Sequence, residues 1–268
     1  YMKKDPLVSV IITNFNKSKY ILESVKSCLQ QSYKKKEIIF FDDKSTDNSL
    51  KKIKDFKNKN KLKLKIISNL NKKENTAPIN QIIAVKKSLN FAKGKYVFLL
   101  DSDDFFHKNK IFEIITIFKK DKRKKMILDL PIYKYKKKEV KKNFIYKNLK
   151  NRWPKFPSTS CMCFEKKSLK NVMSKIEFKK YPNLAIDFYS AVYYSLILKN
   201  FYIHKSHLTY YRQVADGTES SYLKFKSKKW WIRRYEAFEF LNNLLVKNKL
   251  PSNRSLDYFV TKFLNQFL

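Results

Sequence analysis

The chain has 268 residues, 43% hydrophobic and 16% aromatic, which is enough apolar surface for a folded core and excludes a disordered basic segment. Lysine and arginine outnumber aspartate and glutamate by 60 to 23, so the formal net charge is +37 and an anionic partner is one interpretation of the composition. Only six of the basic residues are arginine, the side chain best suited to bidentate recognition of bases and phosphates, so nucleic acid is not the expected partner.

Membrane insertion and export are not indicated by the sequence. It contains no stretch of about 18 uncharged apolar residues, so no membrane-spanning helix is predicted. Three cysteines, an odd number in a chain of this length, argue against a disulfide framework. We therefore expect a cytoplasmic protein, and peripheral contact with an anionic membrane at its inner face stays open as an alternative.

The first 130 residues alternate between strand-like and helix-like patterns. Short β-branched and aromatic runs predict strands at residues 7–13, 37–42, 65–68, 95–100 and 126–130. Helical spacing of apolar residues predicts helices at 21–29, 50–56, 80–92 and 111–118, with Ser18 as cap of the first and Ser45 or Thr46 as cap of the second. Strands joined in this way form right-handed βαβ units, so the pattern predicts an α/β fold whose mostly parallel sheet is flanked by helices.

The remainder of the chain is less regular. Residues 135–180 predict a mixed region over the sheet, followed by a helix at 187–198 and an extended segment at 202–212. After Gly217 the sequence becomes basic, aromatic and helical in spacing. We therefore divide the chain into a domain at residues 1–220 and a helical basic C-terminal extension at 221–268.

Polar clusters follow three predicted strands at their carboxyl ends. They are residues 13–16 (TNFN), 42–47 (DDKSTD) and 101–104 (DSDD). Ligands bind at this edge of a parallel α/β sheet. Six of the 23 acidic residues lie in the last two clusters, which makes this edge the predicted site.

The acidic clusters predict a divalent metal and a diphosphate substrate. Carboxylates held close together raise one another's pKa unless a cation or firm hydrogen bonds stabilise them. An Asp-x-Asp sequence after a buried strand supplies the oxygen ligands that Mg²⁺ or Mn²⁺ takes when substrate phosphates complete the shell. The alternative is that both clusters are loops that cap the following helices, and the two interpretations are compatible.

Three ordered motifs carry a resemblance to a known family. Residues 6–49 (PLVSVIITNFNKSKYILESVKSCLQQSYKKKEIIFFDDKSTDNS) and 94–105 (GKYVFLLDSDDF) resemble the donor-binding half of inverting family 2 glycosyltransferases, with weaker similarity over 157–220. The resemblance implies a GT-A fold with a donor half at about 6–130 and an acceptor half at about 131–220. It also implies transfer from a nucleotide-sugar donor, expected to be a UDP-sugar, to a hydroxyl of a glycan or lipid-linked glycan in surface polysaccharide or lipopolysaccharide-type synthesis.

The resemblance also implies how the nucleotide base is bound. Thr13 and Phe15 match residues that cradle the base, and Phe15 stands where a stacking tyrosine is usual. Asp43 matches the residue that binds uracil N3–H, and Asp42 lies beside it near the base or ribose. Lys44 departs from the family pattern, because a glycine is frequent at that position.

The second motif implies contacts with the ribose and the diphosphate. Asp101 matches the ribose contact, and Ser102 belongs to the same nucleotide site. Asp103 matches the metal ligand of the DxD motif, which implies Mn²⁺ or Mg²⁺ as cofactor.

Asp187 is the implied catalytic base. It matches the aspartate that precedes a helix in the acceptor half, followed by a YYR-type strand that ends here at Arg212. Ile186 replaces the customary glutamate before it. The competing hypothesis is that Asp187 caps its helix, in which case Asp216 or Glu219 is the next candidate base.

Two other functions compete with sugar transfer. Nucleotidyl transfer on a similar sheet typically uses a glycine-rich phosphate loop, and the chain holds two glycines. A non-catalytic basic protein that binds membranes or nucleic acid through its tail is the third hypothesis. Metal-dependent affinity for UDP distinguishes sugar transfer from this non-catalytic hypothesis.

Overall fold

A computed structural model of the chain describes residues 5–69, 75–142, 156–214, 227–252 and 254–267. Among these residues, nine strands form one sheet. The strands are β1 (Val8–Asn14), β2 (Lys36–Asp42), β3 (Leu64–Ser68), β4 (Tyr96–Asp101), β5 (Phe105–Phe106), β6 (Met126–Lys134), β7 (Glu139–Lys141), β8 (Met162–Glu165) and β9 (Phe201–Arg212).

Helices flank the sheet. They are α1 (Ile21–Leu29), α2 (Ser49–Lys59), α3 (Ala77–Phe91), α4 (Lys110–Lys120), α5 (Lys166–Lys175), α6 (Ile186–Val192), α7 (Lys228–Lys247) and α8 (Leu256–Gln266). All of them except α5, which lies in the region predicted as mixed, fall in segments with a predicted helix. A short 3₁₀ turn at Thr159–Cys161 precedes β8, and a π-helical turn at Tyr193–Ile197 continues α6.

The predicted caps of the first two helices were wrong. α1 begins after Tyr20 and α2 after Asn48, and neither of these residues makes a side-chain cap bond. The Ser18 N–H instead donates to Asp47 Oδ2 at 2.9 Å, and the Ser45 hydroxyl accepts from the Asn16 N–H at 3.0 Å. Contacts between the two loops have therefore displaced the local capping preference of these serines.

The sheet has a parallel half and a mixed half. Its order is β3-β2-β1-β4-β8-β6-β9-β5, with β7 paired to β6. β1 to β4 are parallel, whereas β8 runs antiparallel to both β4 and β6, and β9 runs parallel to β6. The predicted mostly parallel sheet with a mixed second half is confirmed, and the switch in strand direction lies beside β4.

Alternating residues of the central strands fill two cores, one on each face of the sheet. In β4, Phe98 and Leu100 pack into one core and Val97 and Leu99 into the other. A strand buried on both faces needs such a continuous apolar run, which explains the patterns of β1, β2 and β4.

The C-terminal helix α7 packs into one of these cores. Phe240 of α7 lies in the same buried cluster as residues of α3, α5 and α6, and its ring centre is 4.7 Å from that of Tyr189. Together with α8, α7 confirms a helical tail after residue 220. The division into two units at that residue stays a prediction.

Gly94 marks a close approach between the chain entering β4 and strand β1. A Cβ at this position would lie 2.6 Å from Ser9 Oγ and closer still to Ser9 N. We expect Gly94→Ala to lower the free energy of unfolding by about 1–3 kcal/mol, because central-strand backbone must move to accommodate the methyl group. Urea denaturation measures this, and Lys93→Ala at the exposed neighbouring position is the control. Equal stability of the two variants would contradict the prediction.

Candidate active site

The predicted polar clusters meet at one edge of the sheet. Thr13 pairs with Asp101 across β1 and β4, and Asn14 pairs with Asp42 across β1 and β2. The Thr13 hydroxyl donates to Asp101 Oδ1 at 3.0 Å, which ties the first cluster to the third. The carboxyl ends of parallel strands therefore bring together residues that are 88 positions apart in the chain.

Asp42 organises the loop after β2 from a fully buried position. Its carboxylate accepts hydrogen bonds from Asn14 Nδ2 at 2.8 Å, Ser45 N at 3.0 Å and Ser45 Oγ at 2.7 Å. Lys44 takes the left-handed backbone conformation, with φ of 56°, that a glycine would adopt more easily. These bonds give Asp42 a positioning role in the loop, and its contact with a nucleotide stays a prediction.

Asp43 belongs to a polar chain that the sequence did not reveal. Its carboxylate accepts from Asn69 Nδ2 at 2.8 Å, and the amide oxygen of Asn69 accepts from Lys87 Nζ at 2.8 Å. Asn69 follows β3, so three adjacent strands contribute to this edge of the site. These two hydrogen bonds fix the orientation of the Asp43 carboxylate.

Phe15 presents an aromatic ring directly after β1. Its side chain is 46% exposed. An exposed ring beside a buried carboxylate is suited to hold one face of a nucleotide base.

Asp101 is a carboxylate with a strongly altered proton affinity. Burial, followed by the negative charge of Asp103, raises the pKa of Asp101 to about 7. Hydrogen bonds from Thr13 and from Gln81 Nε2, the latter at 2.8 Å, oppose this shift. The side chain is thus held in place, and a nearby cation would favour its ionised form.

Asp103 and Asp104 have different surroundings although they are adjacent. Asp103 Oδ2 lies 3.4 Å from Lys17 Nζ and its side chain is partly exposed. Asp104 is buried, accepts from Ser160 Oγ at 2.6 Å and from Arg212 N at 2.8 Å, and has a pKa raised by burial and by the charges of Asp103 and Asp101. Asp103 is therefore the more accessible of the two carboxylates, whereas Asp104 anchors the loop.

Ser102 is buried between these aspartates. Its N–H donates to the Thr13 carbonyl at 3.0 Å, which extends the pairing of β1 and β4 by one residue. The structure thus places Ser102 in the loop beside the site, and its contact with the nucleotide stays a prediction.

Arg212, the last residue of β9, contacts the loop that carries Asp103 and Asp104. Its Nε donates to the Asp103 carbonyl at 2.8 Å, and its guanidinium lies over the rings of Tyr20 and Phe105. Its Nη2 donates to Glu23 Oε2 at 2.6 Å. The sequence marked Arg212 only as the end of a strand, and the structure shows that it fixes the backbone of the DxD loop.

Ser160 binds both Asp101 and Asp104 of the same loop, a role that the sequence did not indicate. Its hydroxyl donates to Asp104 and accepts from the Asp101 N–H at 3.0 Å. Its carbonyl oxygen accepts from Lys110 Nζ at 2.6 Å. Lys110 forms an ion pair of 2.7 Å with Asp129, and both side chains are fully buried. A buried charge pair therefore lies directly under the acidic loop.

The acidic loop suits a divalent cation. The charge of Asp103 raises the pKa of both Asp101 and Asp104, which shows that the carboxylates repel one another in the protein alone. Mg²⁺ and Mn²⁺ commonly use one or two protein carboxylates and take further oxygens from phosphates. Among the described residues, no group of three or more His, Cys, Asp and Glu side chains is arranged as a metal site. The partly exposed Asp103, with Asp101 beside it, fits the open type of site.

Asp187 is a buried carboxylate in the first turn of α6. The helix cap is Ala185, so the competing hypothesis that Asp187 is the N-cap was wrong. Its Oδ1 accepts from the Phe188 N–H at 2.7 Å, and its charge contributes to the raised pKa of Asp101. The structure therefore brings Asp187 into the electrostatic neighbourhood of the DxD loop. Asp216 and Glu219 lie outside the described residues.

Comparison of the sequence with known proteins gives one family. Residues 9–176 match the family model described as Glycosyl transferase family 2. An uncharacterized glycosyltransferase of Haemophilus influenzae is 37% identical over 120 residues, covering 45% of this chain and 35% of that protein. The Escherichia coli UDP-Glc:alpha-D-GlcNAc-diphosphoundecaprenol beta-1,3-glucosyltransferase WfgD is 31% identical over 117 residues, covering 44% of this chain and 43% of that protein. The matched segment spans less than half the length of either relative.

Comparison of the structure gives the same fold. Residues 1–349 of S. aureus TarS, crystallised with UDP-GlcNAc, superpose with a TM-score of 0.67 at 18% identity, covering 96% of this chain and 73% of that one. The mannosyltransferase PcManGT from Pyrobaculum calidifontis, in complex with GDP-Man and Mn²⁺, gives a TM-score of 0.62 at 15% identity, covering 93% and 67%. The predicted GT-A fold is confirmed, and at these identities the likeness extends to the fold alone.

Proposed function

The chain belongs to glycosyl transferase family 2, and we propose that it moves a sugar from a UDP-sugar to an acceptor hydroxyl with inversion at the anomeric carbon. The observation that carries this proposal is the meeting of Phe15, Asp43 and Asp103 at the carboxyl edge of three parallel strands. The Phe15 ring suits the face of a nucleotide base, and the buried Asp43 carboxylate suits its polar edge. The partly exposed Asp103 carboxylate suits a metal ion bound to the diphosphate.

The donor is held along this edge in the proposed arrangement. Thr13 and Phe15 cradle the base, Asp43 accepts the base N–H, and Asp101 with Ser102 faces the ribose. Asp103 would hold Mn²⁺ or Mg²⁺, whose chemistry is to neutralise charge on the diphosphate. Lys17, 3.4 Å from Asp103, adds a positive charge on the same side.

In the proposed reaction, the acceptor hydroxyl is the nucleophile and Asp187 is the general base. The acceptor oxygen attacks the anomeric carbon, and its proton passes to the Asp187 carboxylate. The bond between the anomeric carbon and the diphosphate oxygen breaks, and the nucleoside diphosphate leaves with the bonding electrons. Inversion requires the base and the leaving group to lie on opposite sides of the sugar, and Asp187 comes from α6 whereas Asp103 comes from the loop after β4.

The acceptor class is proposed from the relatives. WfgD is named for transfer from UDP-Glc to a sugar linked to diphosphoundecaprenol. We infer a glycan or lipid-linked glycan acceptor here, in surface polysaccharide or lipopolysaccharide-type synthesis.

The test of the proposed function is a calorimetric titration with UDP in Mn²⁺ and in EDTA, followed by a screen of radiolabelled nucleotide sugars. We expect UDP to bind in Mn²⁺, and one donor to be turned over when a matched acceptor is present. Failure of UDP to bind in either condition would contradict a UDP-dependent activity.

Asp103→Asn is expected to weaken UDP binding in Mn²⁺ by about 100-fold, because the partly exposed carboxylate is the proposed ligand to the ion. Binding in EDTA should change little. Asp55→Asn, which removes the same charge from the exposed side of α2, serves as the control. Equal UDP affinity of the parent protein in EDTA and in Mn²⁺ would remove the metal from the proposal.

Asp43→Ala is expected to weaken UDP binding by about 10-fold to 100-fold while changing the affinity for pyrophosphate little, since a hydrogen bond to a charged acceptor contributes about 1.5–3 kcal/mol. Calorimetry with both ligands measures the difference. Asn69→Ala, which leaves the Asp43 carboxylate in place, should show a smaller loss. An equal loss for UDP and pyrophosphate would place Asp43 away from the base.

A further inference from the structure

Helix α8 exposes a continuous apolar face. Five large apolar side chains of this helix and its end are between 44% and 80% exposed: Leu256, Phe259, Val260, Phe263 and Phe267. At 3.6 residues per turn they fall within an arc of roughly 100°. Scattered exposed apolar residues are ordinary on protein surfaces, whereas a stripe of this kind marks an interaction site.

The opposite face of α8 is fixed against α7. Tyr258 and Thr261 are buried, the Tyr258 ring packs edge-on against Phe238, and its hydroxyl donates to Glu239 at 3.0 Å. Asn265 Nδ2 donates to the Trp231 carbonyl at 3.1 Å. The helix is therefore held in a defined orientation, with its apolar stripe directed away from the protein.

This arrangement changes the interpretation of the aromatic tail. Membrane binding through the tail would use its aromatic and basic side chains, which on α7 include Trp230, Trp231, Arg233 and Arg234. Arg234 instead binds Asp257 and Thr261 of α8 and lies over the Trp230 ring, while Trp231 holds Asn265. The Arg234 side chain and the Trp231 carbonyl thus join α7 to α8, and the exposed apolar surface lies on α8.

Charge separates the possible occupants of the stripe. The described residues of α7, α8 and their connection include three acids, and each has a partner within the protein: Glu236 with Asn183, Glu239 with Tyr258, and Asp257 with Arg234. The exposed cations of the same region are Lys228, Lys229, Lys247, Lys249, Arg254 and Lys262. The helix pair therefore combines an apolar stripe with an excess of exposed positive charge.

We propose that the apolar face of α8 docks onto an anionic lipid surface, with phenylalanines 259 and 263 entering the boundary between headgroups and acyl chains. Aromatic and aliphatic side chains flanked by lysine favour this interfacial position. A second copy of the chain is disfavoured as occupant, because each copy carries a formal net charge of +37. No helix among the described residues is long and apolar enough to cross a membrane, so the proposed contact is peripheral.

Vesicle flotation tests this proposal without using enzymatic activity. The intact protein is mixed, at about 0.15 M salt, with vesicles of phosphatidylcholine alone or of phosphatidylcholine with phosphatidylglycerol. We expect retention on the anionic vesicles and little on the neutral ones. The double variant Phe259→Ser/Phe263→Ser should lose about tenfold or more of this retention, since apolar burial contributes most of the interfacial affinity.

Phe112→Ser is the matched control, because Phe112 on α4 is 57% exposed and Phe263 is 59% exposed. It should float like the parent protein, and circular dichroism should show that both variants stay folded. Absent retention of the parent protein on anionic vesicles, or equal retention of the double variant, would overturn the proposal. A dimer in sedimentation that the double variant dissociates would overturn it in favour of a second copy.

Discussion

Asp187→Asn is expected to lower turnover by about 10²-fold to 10⁴-fold, the contribution typical of a positioned general base. Asparagine keeps the shape of the side chain and can still accept the hydrogen bond from the Phe188 N–H, so stability should be close to that of the parent. Affinity for UDP in Mn²⁺ should also be retained, because Asp187 lies on α6 and the proposed donor contacts lie on the loops after β1, β2 and β4. Single-turnover kinetics with a matched donor and acceptor measure the effect.

The control for this variant is again Asp55→Asn, which changes the net charge by the same amount at an exposed position of α2. Its turnover should equal that of the parent. If Asp187→Asn transfers sugar at a near-normal rate, Asp187 is a structural residue of the first helical turn. The catalytic base would then be sought at Asp216 or Glu219.

Lys110→Met is expected to lower the free energy of unfolding by about 3–5 kcal/mol, because it leaves the fully buried Asp129 carboxylate without its cation. Burial has the largest single effect and lowers the pKa of Lys110, but the charge of Asp129, together with smaller contributions from Cys163, Cys161 and the hydrogen bond of Asp129, outweighs it, so the pKa of Lys110 lies above its ordinary value. The lysine is therefore charged in the native protein. The midpoint and slope of a urea denaturation curve give the change.

A double-variant cycle separates the ion pair from general damage to the core. In Lys110→Met/Asp129→Asn the buried charge is gone and the amide can still accept from Thr209, so part of the lost stability should return. The single variant should also weaken UDP binding, because Lys110 supports Ser160 and Ser160 holds Asp104. A loss below about 1 kcal/mol in Lys110→Met would contradict the importance of the pair.

The parallel half of the fold was predictable because its signals are local. A strand buried on both faces requires a continuous apolar run, and the helices between such strands carry one apolar stripe. The bounds of β1, β2 and β4 consequently differ from the predicted ones by at most one residue at either end. The position of the acidic clusters at strand ends follows from the same pattern.

The supports of the site were not predictable in this way. Asn69, Gln81 and Ser160 are ordinary polar residues in the sequence, and each acts on an aspartate between 20 and 56 positions away. Their roles depend on which strands and helices are adjacent in space. Capping preferences failed for the related reason that Ser18 and Ser45 bond to the neighbouring loop.

The sequence by itself determined most strands and helices of the first 130 residues, the edge of the sheet at which the acids meet and the family to which the chain is similar. Hydrophobic periodicity and strand-end motifs are properties of short segments, so they can be read without knowing the fold. The tertiary structure decided that Asp42 is buried in its loop whereas Asp103 is partly exposed, and that the apolar surface of the tail lies on α8. Burial, ion pairing and helix orientation depend on contacts between distant segments, and only the packed chain sets them.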